Sequence, residues 1–377
     1  MITSKKIYIS VLALLISFGS IGAVCFTPGL PAIANYFSIT DQEAQLTVTW
    51  YLWGYAFGQL LYGPLTNRFG SKAAVKIGAI MAMFGGILCV LSYFSHSFTL
   101  LLVARLIMAL GAASGLKMTF TISNKLFSTE ENARVLGLLT MAFAITPGLG
   151  VFLGGILVNL INWTAPFYLM IIYAFIILVL NKQLPEVYPL ELRSTQGVSQ
   201  IVKNYLAQFQ NFNLICGGLL VGLGSCFVYI FAAISPFLII NIMQVSPERY
   251  GLYNFIPSLG ILFGSLASSH LGKTWSPQKS LGLGLIASIF GSLFMLICIH
   301  FWKNNPFTIF IPITFIYFGL SFLFGNSAAL ALRNAKDVSN ASAIMSFINM
   351  GSAFVATLIV GKVQIDHVST LLSRPHF

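Results

Sequence analysis

The chain has 377 residues, of which 57% are hydrophobic and only 8% carry a charged side chain. Soluble domains carry about 25% charged residues, so this composition excludes an ordinary soluble enzyme and a disordered protein. The net charge of +11 would indicate a nucleic-acid partner in a soluble chain, whereas in a membrane protein it reflects basic residues collected in cytoplasmic loops.

Eleven apolar runs are each long enough to cross a bilayer, which takes about 20 residues of helix. Because the bilayer core offers the backbone no hydrogen-bond partner, runs of this length are expected to be helices. They cover residues 7–26, 46–65, 74–94, 98–122, 134–157, 164–181, 212–240, 251–271, 280–301, 307–332 and 339–361. The sequence therefore predicts an all-α polytopic membrane protein.

The loops between these runs predict the orientation of the chain. If the N-terminus is cytoplasmic, 14 of the 20 Lys and Arg residues fall in cytoplasmic loops and four fall on the other side. This distribution agrees with the positive-inside rule, so the charge predicts topology and no nucleic-acid partner. The odd number of runs places the C-terminus outside, and we expect that a twelfth helix is missing.

The longest polar interval divides the chain into two bundles. We predict a six-helix bundle over 1–181, a cytoplasmic linker over 182–211 and a five-helix bundle over 212–377. Within the linker, apolar side chains recur at the spacing of one helical face, at Val198, Ile201, Val202, Tyr205, Leu206 and Phe209. We expect an amphipathic helix that lies on the cytoplasmic membrane surface.

The loop between the second and third runs carries the most specific motif, Gly-Pro-Leu-Thr-Asn-Arg-Phe-Gly-Ser-Lys over 63–72. Its glycines allow a tight turn with close helix approach. It resembles the loop G-x-L-x-D-R-x-G-R-K of the major facilitator superfamily. The resemblance implies that Gly63, Asn67, Arg68, Gly70 and Lys72 form a conformational loop. Asn67 stands where the family has Asp, so we expect a weaker latch on the cytoplasmic side.

Shorter sequence segments indicate which subfamily the chain resembles. These segments lie at 28–33, 59–65, 105 together with 111–115, 147–150 together with 154–155, 184–186 and 229–237. Their order and spacing resemble the bicyclomycin/chloramphenicol-resistance subfamily of drug:proton antiporters over about residues 7–361. The resemblance implies two helical bundles that rock about a midplane cavity, in a bacterial cytoplasmic (inner) membrane. It also implies that Pro147, Gly150 and Gly154 form a bend in the fifth helix.

Two cations lie within the fourth run. A charge inside a membrane helix is costly, so Arg105 is expected to face a cavity or a partner. By resemblance it is the arginine that gates, couples protons or organises the cavity. The alternative is that it snorkels outward or bonds backbone carbonyls. Lys117, 12 residues further, is expected to snorkel to the cytoplasmic interface.

No carboxylate lies inside an apolar run, since all nine Asp and Glu residues fall in loops, at helix edges or in the tail. Proton-coupled transporters usually carry a buried Asp or Glu. The related subfamily commonly has an Asp at the position of Val24. Protons as the coupling ion are therefore implied by the resemblance alone.

One helical stripe is suited to a substrate cavity. Tyr51, Tyr55 and Gln59 recur at i, i+4 and i+8, which gives apolar rings with polar tips. We add Tyr229 from the seventh run as a further cavity residue. The alternative for each is helix packing with satisfied hydroxyl groups.

These observations predict a transporter that exports small amphipathic compounds by alternating access across the lipid bilayer. One alternative is an uptake permease for an anionic metabolite or siderophore, which Arg105 and Lys117 would suit. Another is a truncated relative that transports nothing, since Val24 and Asn67 depart from the family. The sequence lacks a phosphate-binding loop, metal-ligand spacing and a nucleophile–base pair, so we expect no enzyme, no cofactor and no metal.

Overall fold

A computed structural model of the chain describes residues 2–193, 197–302, 304–333, 335 and 337–362. All regular elements in this part of the chain are helical. The α-helices are α1 Ile2–Val24, α2 Leu30–Phe37, α3 Asp41–Phe69, α4 Ser71–Phe94, α5 Phe98–Ala112, α6 Ser114–Leu126, α7 Thr129–Leu160, α8 Ala165–Leu180, α9 Val198–Gln208, α10 Phe212–Pro236, α11 Pro247–Tyr253, α12 Phe255–Leu271, α13 Pro277–Phe301, α14 Phe307–Leu332 and α15 Val338–Val360.

Ten helical segments in the described ranges have the length and composition to span a membrane. Helix α3 is not among these ten, although its 29 residues exceed the length that a span needs. Each of the eleven predicted runs lies on one of these ten segments or on α3, so the prediction of an all-α polytopic membrane protein is confirmed.

The first predicted run, 7–26, ends close to the end of α1, but the span does not end there. Helix α1 stops at Val24, a 3₁₀ turn follows at Thr27–Gly29, and α2 continues the span to Phe37. Pro28 and Pro31 lie in the first turns of these two short elements, where a missing N–H leaves no intrahelical bond unmade. The two prolines therefore lie where one span is divided into two pieces.

The helices pack mainly within two groups, α1–α8 and α10–α15, with α9 in the linker between them. Helix α3 packs against α15, and α7 packs against α11 and α12, which forms two seams between the groups. In the first seam the rings of Trp53 and Phe354 stack with centroids 4.4 Å apart. In the second, Phe152 and Phe255 lie 5.3 Å apart. Both seams are thus closed by apolar contact.

Many basic side chains and the linker meet at one end of the bundle, which we call the basic end. There Lys5 Nζ lies 2.6 Å from Glu131 Oε1, and the hydroxyl of Tyr205 on α9 donates to the carbonyl oxygen of Leu60 at 2.9 Å. Lys125 lies 5.7 Å from the centre of the Tyr188 ring. Helices α2 and α11 lie at the opposite end.

The outer surface of the bundle is apolar. On α13, for example, the exposed fractions of Ile286 and Phe290 are 66% and 54%. A helix that is apolar on its outward face needs a non-aqueous environment. The chain is accordingly a multi-pass membrane protein.

Candidate functional site

Arg105 is completely buried on α5 and is bonded to backbone carbonyls. Its Nη1 donates to Gly22 O at 2.8 Å and its Nη2 to Ala23 O at 3.5 Å. Its Nε donates to Thr47 O at 3.2 Å. None of the described residues forms an ion pair with it. The side chain therefore adopts the carbonyl-bonding arrangement that the sequence left as an alternative.

The end of α1 at Val24, inside the first span, explains why the guanidinium of Arg105 lies against these carbonyls. The last carbonyls of a helix lack intrahelical partners, and the negative end of the helix dipole attracts a cation. Gly22 and Ala23 supply carbonyls from the last turn of α1, and the guanidinium of Arg105 caps them. Its central carbon also lies 3.9 Å from the ring centre of Phe26 and 4.2 Å from that of Tyr51, at cation–π distance.

The predicted stripe on α3 is buried against α1. The hydroxyl of Tyr51 donates to Gly19 O at 2.9 Å, and the rings of Tyr51 and Tyr55 stack 6.1 Å apart. Glycine at 19 and 22 leaves the space that these two rings fill, because a Cβ at either position would overlap a tyrosine side chain. Close packing of α1 and α3 therefore depends on these glycines.

Gln59 is 1% exposed, and its Nε2 makes no well-formed hydrogen bond to a described residue, although its amide lies close enough to the Tyr55 hydroxyl to interact with it. A buried donor without a partner costs about 1–3 kcal/mol. Tyr229, half-buried on α10, lies close enough to Tyr51 and Tyr55 to interact with both electrostatically. The stripe therefore faces the second helix group at this point.

A small, partly open cavity of about 30 Å³ lies between α7 and the helices α10, α12 and α14. Its wall includes Val24, Pro147, Tyr250, Ser258 and Tyr317, and none of the described residues that line it is charged. Pro147 is thus the member of the predicted site that borders this cavity. The predicted residues Arg105, Tyr51, Tyr55, Gln59 and Tyr229 are not part of its wall.

The motif on α7 packs in two directions. Gly150 lies against Ile21 of α1, and a Cβ at Gly154 would overlap the carbonyl oxygen of Cys25. Gly155 instead faces Pro247 of α11 in the other helix group. Helix α7 is continuous through Pro147, and the bend expected there stays a prediction. The glycines let α7 approach α1 and α11 closely.

The predicted conformational loop joins α3 to α4 at the basic end. Gly70 has φ of 93°, a backbone conformation that favours glycine. Gly63 is half-buried, whereas Asn67 and Arg68 are exposed and make no side-chain hydrogen bond to another described residue. Lys72 Nζ donates to Lys182 O at 3.1 Å. In the described part of the chain, Asn67 therefore makes no side-chain hydrogen bond that could latch this loop.

Glu186, which was not predicted as a site residue, binds this loop instead. Its Oε1 accepts from Ser71 N at 2.8 Å and Ser71 Oγ at 2.6 Å, and its Oε2 accepts from Lys72 N at 3.2 Å. A carboxylate at a helix N-terminus is stabilised by these N–H groups and by the dipole. Partial burial works to raise the pKa of Glu186, but the bonds from Ser71, Tyr188 and Lys72 together hold it below the ordinary value. The motif at 184–186 was the signal that could have found it.

The comparisons with known proteins agree with this architecture. A family model described as Major Facilitator Superfamily matches residues 11–358. "Multidrug resistance protein D" of Escherichia coli (strain K12) is 23% identical over 92% of this chain and 86% of its own length. "Bicyclomycin resistance protein homolog" of Haemophilus influenzae is 20% identical over 98% of this chain and 92% of its own length.

A solved structure titled "Crystal structure of D-xylose-proton symporter" has a TM-score of 0.74 at 15% identity, over 98% of this chain and 94% of its own. This likeness confirms the fold. The predicted resemblance to the bicyclomycin/chloramphenicol-resistance subfamily is also confirmed. The chain belongs to the Major Facilitator Superfamily, whose members are membrane transporters and not enzymes.

Proposed function

We propose that this protein exports small, uncharged amphipathic compounds from a bacterial cytoplasm by alternating access and proton antiport. The observation that carries the proposal is the cavity between the helix groups, which is lined by rings, hydroxyls and aliphatic side chains without a charge. Such a lining suits apolar compounds with a few polar groups. Relatives that are named for multidrug and bicyclomycin resistance support the direction of transport.

The basic end is the cytoplasmic side in this proposal. Membrane proteins keep Lys and Arg in their cytoplasmic loops, and the basic end collects such residues from α1, α4, α6 and the linker. The N-terminus is then cytoplasmic, and α2 and α11 face the outside. The exposed apolar side chains of α9 would lie in the inner leaflet.

The contacts of Arg105 weigh against uptake of an anion. Its guanidinium already bonds three carbonyls and lies against two rings. An anion would have to displace these partners in a fully buried position, at the cost of several kcal/mol. An uncharged substrate requires no such exchange.

Proton antiport is supported by the family and not by a carboxylate at the cavity. Val24, at the position where the resemblance places an Asp, borders the cavity. A different group has to take up and release the proton if transport is proton-driven.

The test is accumulation of bicyclomycin, chloramphenicol and the cation ethidium in efflux-deficient bacteria that express the full chain. We expect lower accumulation of the two uncharged drugs, abolished by a protonophore, and little change for ethidium. Unchanged accumulation of every compound, with the protein present in the membrane, would contradict the proposal.

A matched pair of variants tests whether the buried amide of Gln59, which lies outside the wall of this cavity, takes part in recognition. Gln59→Leu removes this amide and should weaken drug recognition about tenfold, equivalent to about 1.4 kcal/mol. Gln45→Leu makes the same change on the same helix at similar burial, 2% exposed, and should leave recognition unchanged. Equal losses in both variants would assign the effect to α3 packing.

A further inference from the structure

Helices α4 and α8 of the first group pack side by side, and each exposes an apolar stripe on its outer face. The stripe of α4 consists of Ile80, Phe84, Ile87, Leu91 and Phe94. The stripe of α8 consists of Tyr168, Ile172, Phe175, Ile176 and Val179. Both sets recur at the spacing of one helical face. The helices approach closely, since a Cβ at Gly86 of α4 would lie 2.8 Å from Ile171 Cγ1 of α8. The two stripes therefore form one continuous apolar surface.

Each stripe ends in a lysine at the basic end. Lys76 lies one turn before Ile80 on the same face of α4 and is exposed. Lys182 comes three residues after Val179, in the 3₁₀ turn that follows α8, and is also exposed. From Lys76 to Phe94 the helix is about 27 Å long, close to the roughly 30 Å of a hydrocarbon core. The ammonium groups can therefore reach the depth of the lipid headgroups.

A third lysine joins the ends of the two helices. Lys72 lies one turn before Lys76, and its Nζ donates to Lys182 O at 3.1 Å. In the opposite direction, Asn181 Nδ2 donates to Lys72 O at 2.9 Å. These bonds hold the start of α4 against the end of α8. We call Lys72, Lys76 and Lys182 the lysine corner.

The lysine corner is not neutralised within the described part of the chain. None of its ammonium groups lies at ion-pair distance from a described carboxylate, whereas Lys5 is paired with Glu131. The carboxylate beside the corner is that of Glu186, which already accepts from the backbone or hydroxyl of Ser71, Lys72 and Tyr188. It offsets the charge of the corner only in part. The corner is therefore a cationic patch at the edge of an apolar surface.

We propose that the lysine corner binds the phosphate of an anionic phospholipid, whose acyl chains lie along the stripes of α4 and α8. Basic groups between membrane helices on the cytoplasmic side attract anionic headgroups. A zwitterionic lipid brings no net charge to balance three cations. The stripes favour a lipid over a free phosphate ion, because only a lipid carries chains that cover them.

The proposed lipid site lies within one helix group. Helices α4 and α8 both belong to the first group, so the site stays assembled when the two groups move against each other. Binding is therefore independent of the direction of transport and of the compound transported. Failure of drug export would leave this inference intact.

Native mass spectrometry of the full chain in detergent micelles measures the binding of single lipids. The probe is phosphatidylglycerol, and phosphatidylethanolamine with the same acyl chains is the comparison. We expect the wild type to bind phosphatidylglycerol about tenfold more tightly. Lys76→Gln/Lys182→Gln should abolish this preference and, because both side chains are exposed, should unfold at the same temperature as the wild type.

A matched control removes two other exposed lysines at the basic end. Lys273 and Lys279 flank the turn between α12 and α13, two helices that each pack against α14. Lys273→Gln/Lys279→Gln should keep the wild-type preference. An equal loss in both double variants would assign the preference to overall charge and overturn the lysine corner. A preference that survives Lys76→Gln/Lys182→Gln would overturn it as well.

Two further measurements test the placement of the lipid. Phosphatidylglycerol with a photoreactive acyl chain should label peptides of α4 and α8 in the wild type, and labelling that misses both helices would overturn the proposal. Inorganic phosphate at the same concentration should not displace the lipid. Displacement would show that the corner binds a free ion and that the stripes play no part.

Discussion

Replacing Arg105 with alanine is expected to lower the free energy of unfolding by about 5 kcal/mol. Two of its hydrogen bonds are well formed, to Gly22 O at 2.8 Å and Thr47 O at 3.2 Å. Bonds that involve a charged group contribute roughly 1.5–3 kcal/mol each. The stacked rings of Phe26 and Tyr51 add about 1 kcal/mol each. Desolvation of the guanidinium reduces the sum, which brings it to about 5 kcal/mol.

Unfolding by sodium dodecyl sulfate in mixed micelles measures this difference. Arg68→Ala is the control, because Arg68 is an exposed arginine at the basic end and should change the free energy by less than about 0.5 kcal/mol. An Arg105→Ala protein that unfolds like the wild type but no longer exports drugs would refute the reasoning. The carbonyl contacts would then be incidental, and the arginine would act in transport.

Three further predictions follow from individual contacts. Gly154→Val should destabilise the protein by more than about 3 kcal/mol, because the valine side chain would overlap the backbone of Cys25. The control is Gly137→Ala on the same helix, where the added Cβ meets no neighbour. This control should be neutral or stabilising in a thermal unfolding assay. Glu186→Gln should remove one part of the pH dependence of stability. The hydrogen bonds of Glu186 hold its pKa low in the folded protein, so the wild type keeps this stabilisation above the ordinary glutamate pKa and loses it as the pH falls through the folded value. Acid titration of the variant should lack this loss. Leu206→Asn changes a side chain that is 61% exposed and should leave stability in detergent unchanged while weakening the protection of α9 from hydrogen exchange in nanodiscs; equal protection would contradict its contact with lipid.

The helices could be predicted because lipid leaves a long apolar run no other structure. Hydropathy does not say where such a helix is interrupted. The first run was predicted to end near residue 26, yet the span continues as α2 to Phe37. In the linker, the spacing predicted an amphipathic helix, and α9 lies there. Its apolar side chains serve two surfaces, since Tyr205 bonds α3 while Leu206 is exposed.

The site was harder to predict because its contacts join residues that are distant in sequence. Arg105 could be singled out as a buried charge, but its acceptors exist only because α1 ends at Val24. Glu186 binds Ser71 across 115 positions, and nothing in the local sequence of either residue indicates the other. The same holds for Lys117 and Ser339, which are 222 positions apart. Tertiary packing decides these partners.

The two cations of one span differ in what their partners do during transport. All three acceptors of Arg105 lie on α1 and α3, within its own helix group. Rocking of one group against the other leaves these bonds intact, so they stabilise the group and cannot report its position. The acceptors of Lys117 lie on α15, in the other group, and have to be broken and remade in each cycle. The contacts of Arg105 therefore belong to the fold of one group, whereas those of Lys117 depend on how the two groups are placed.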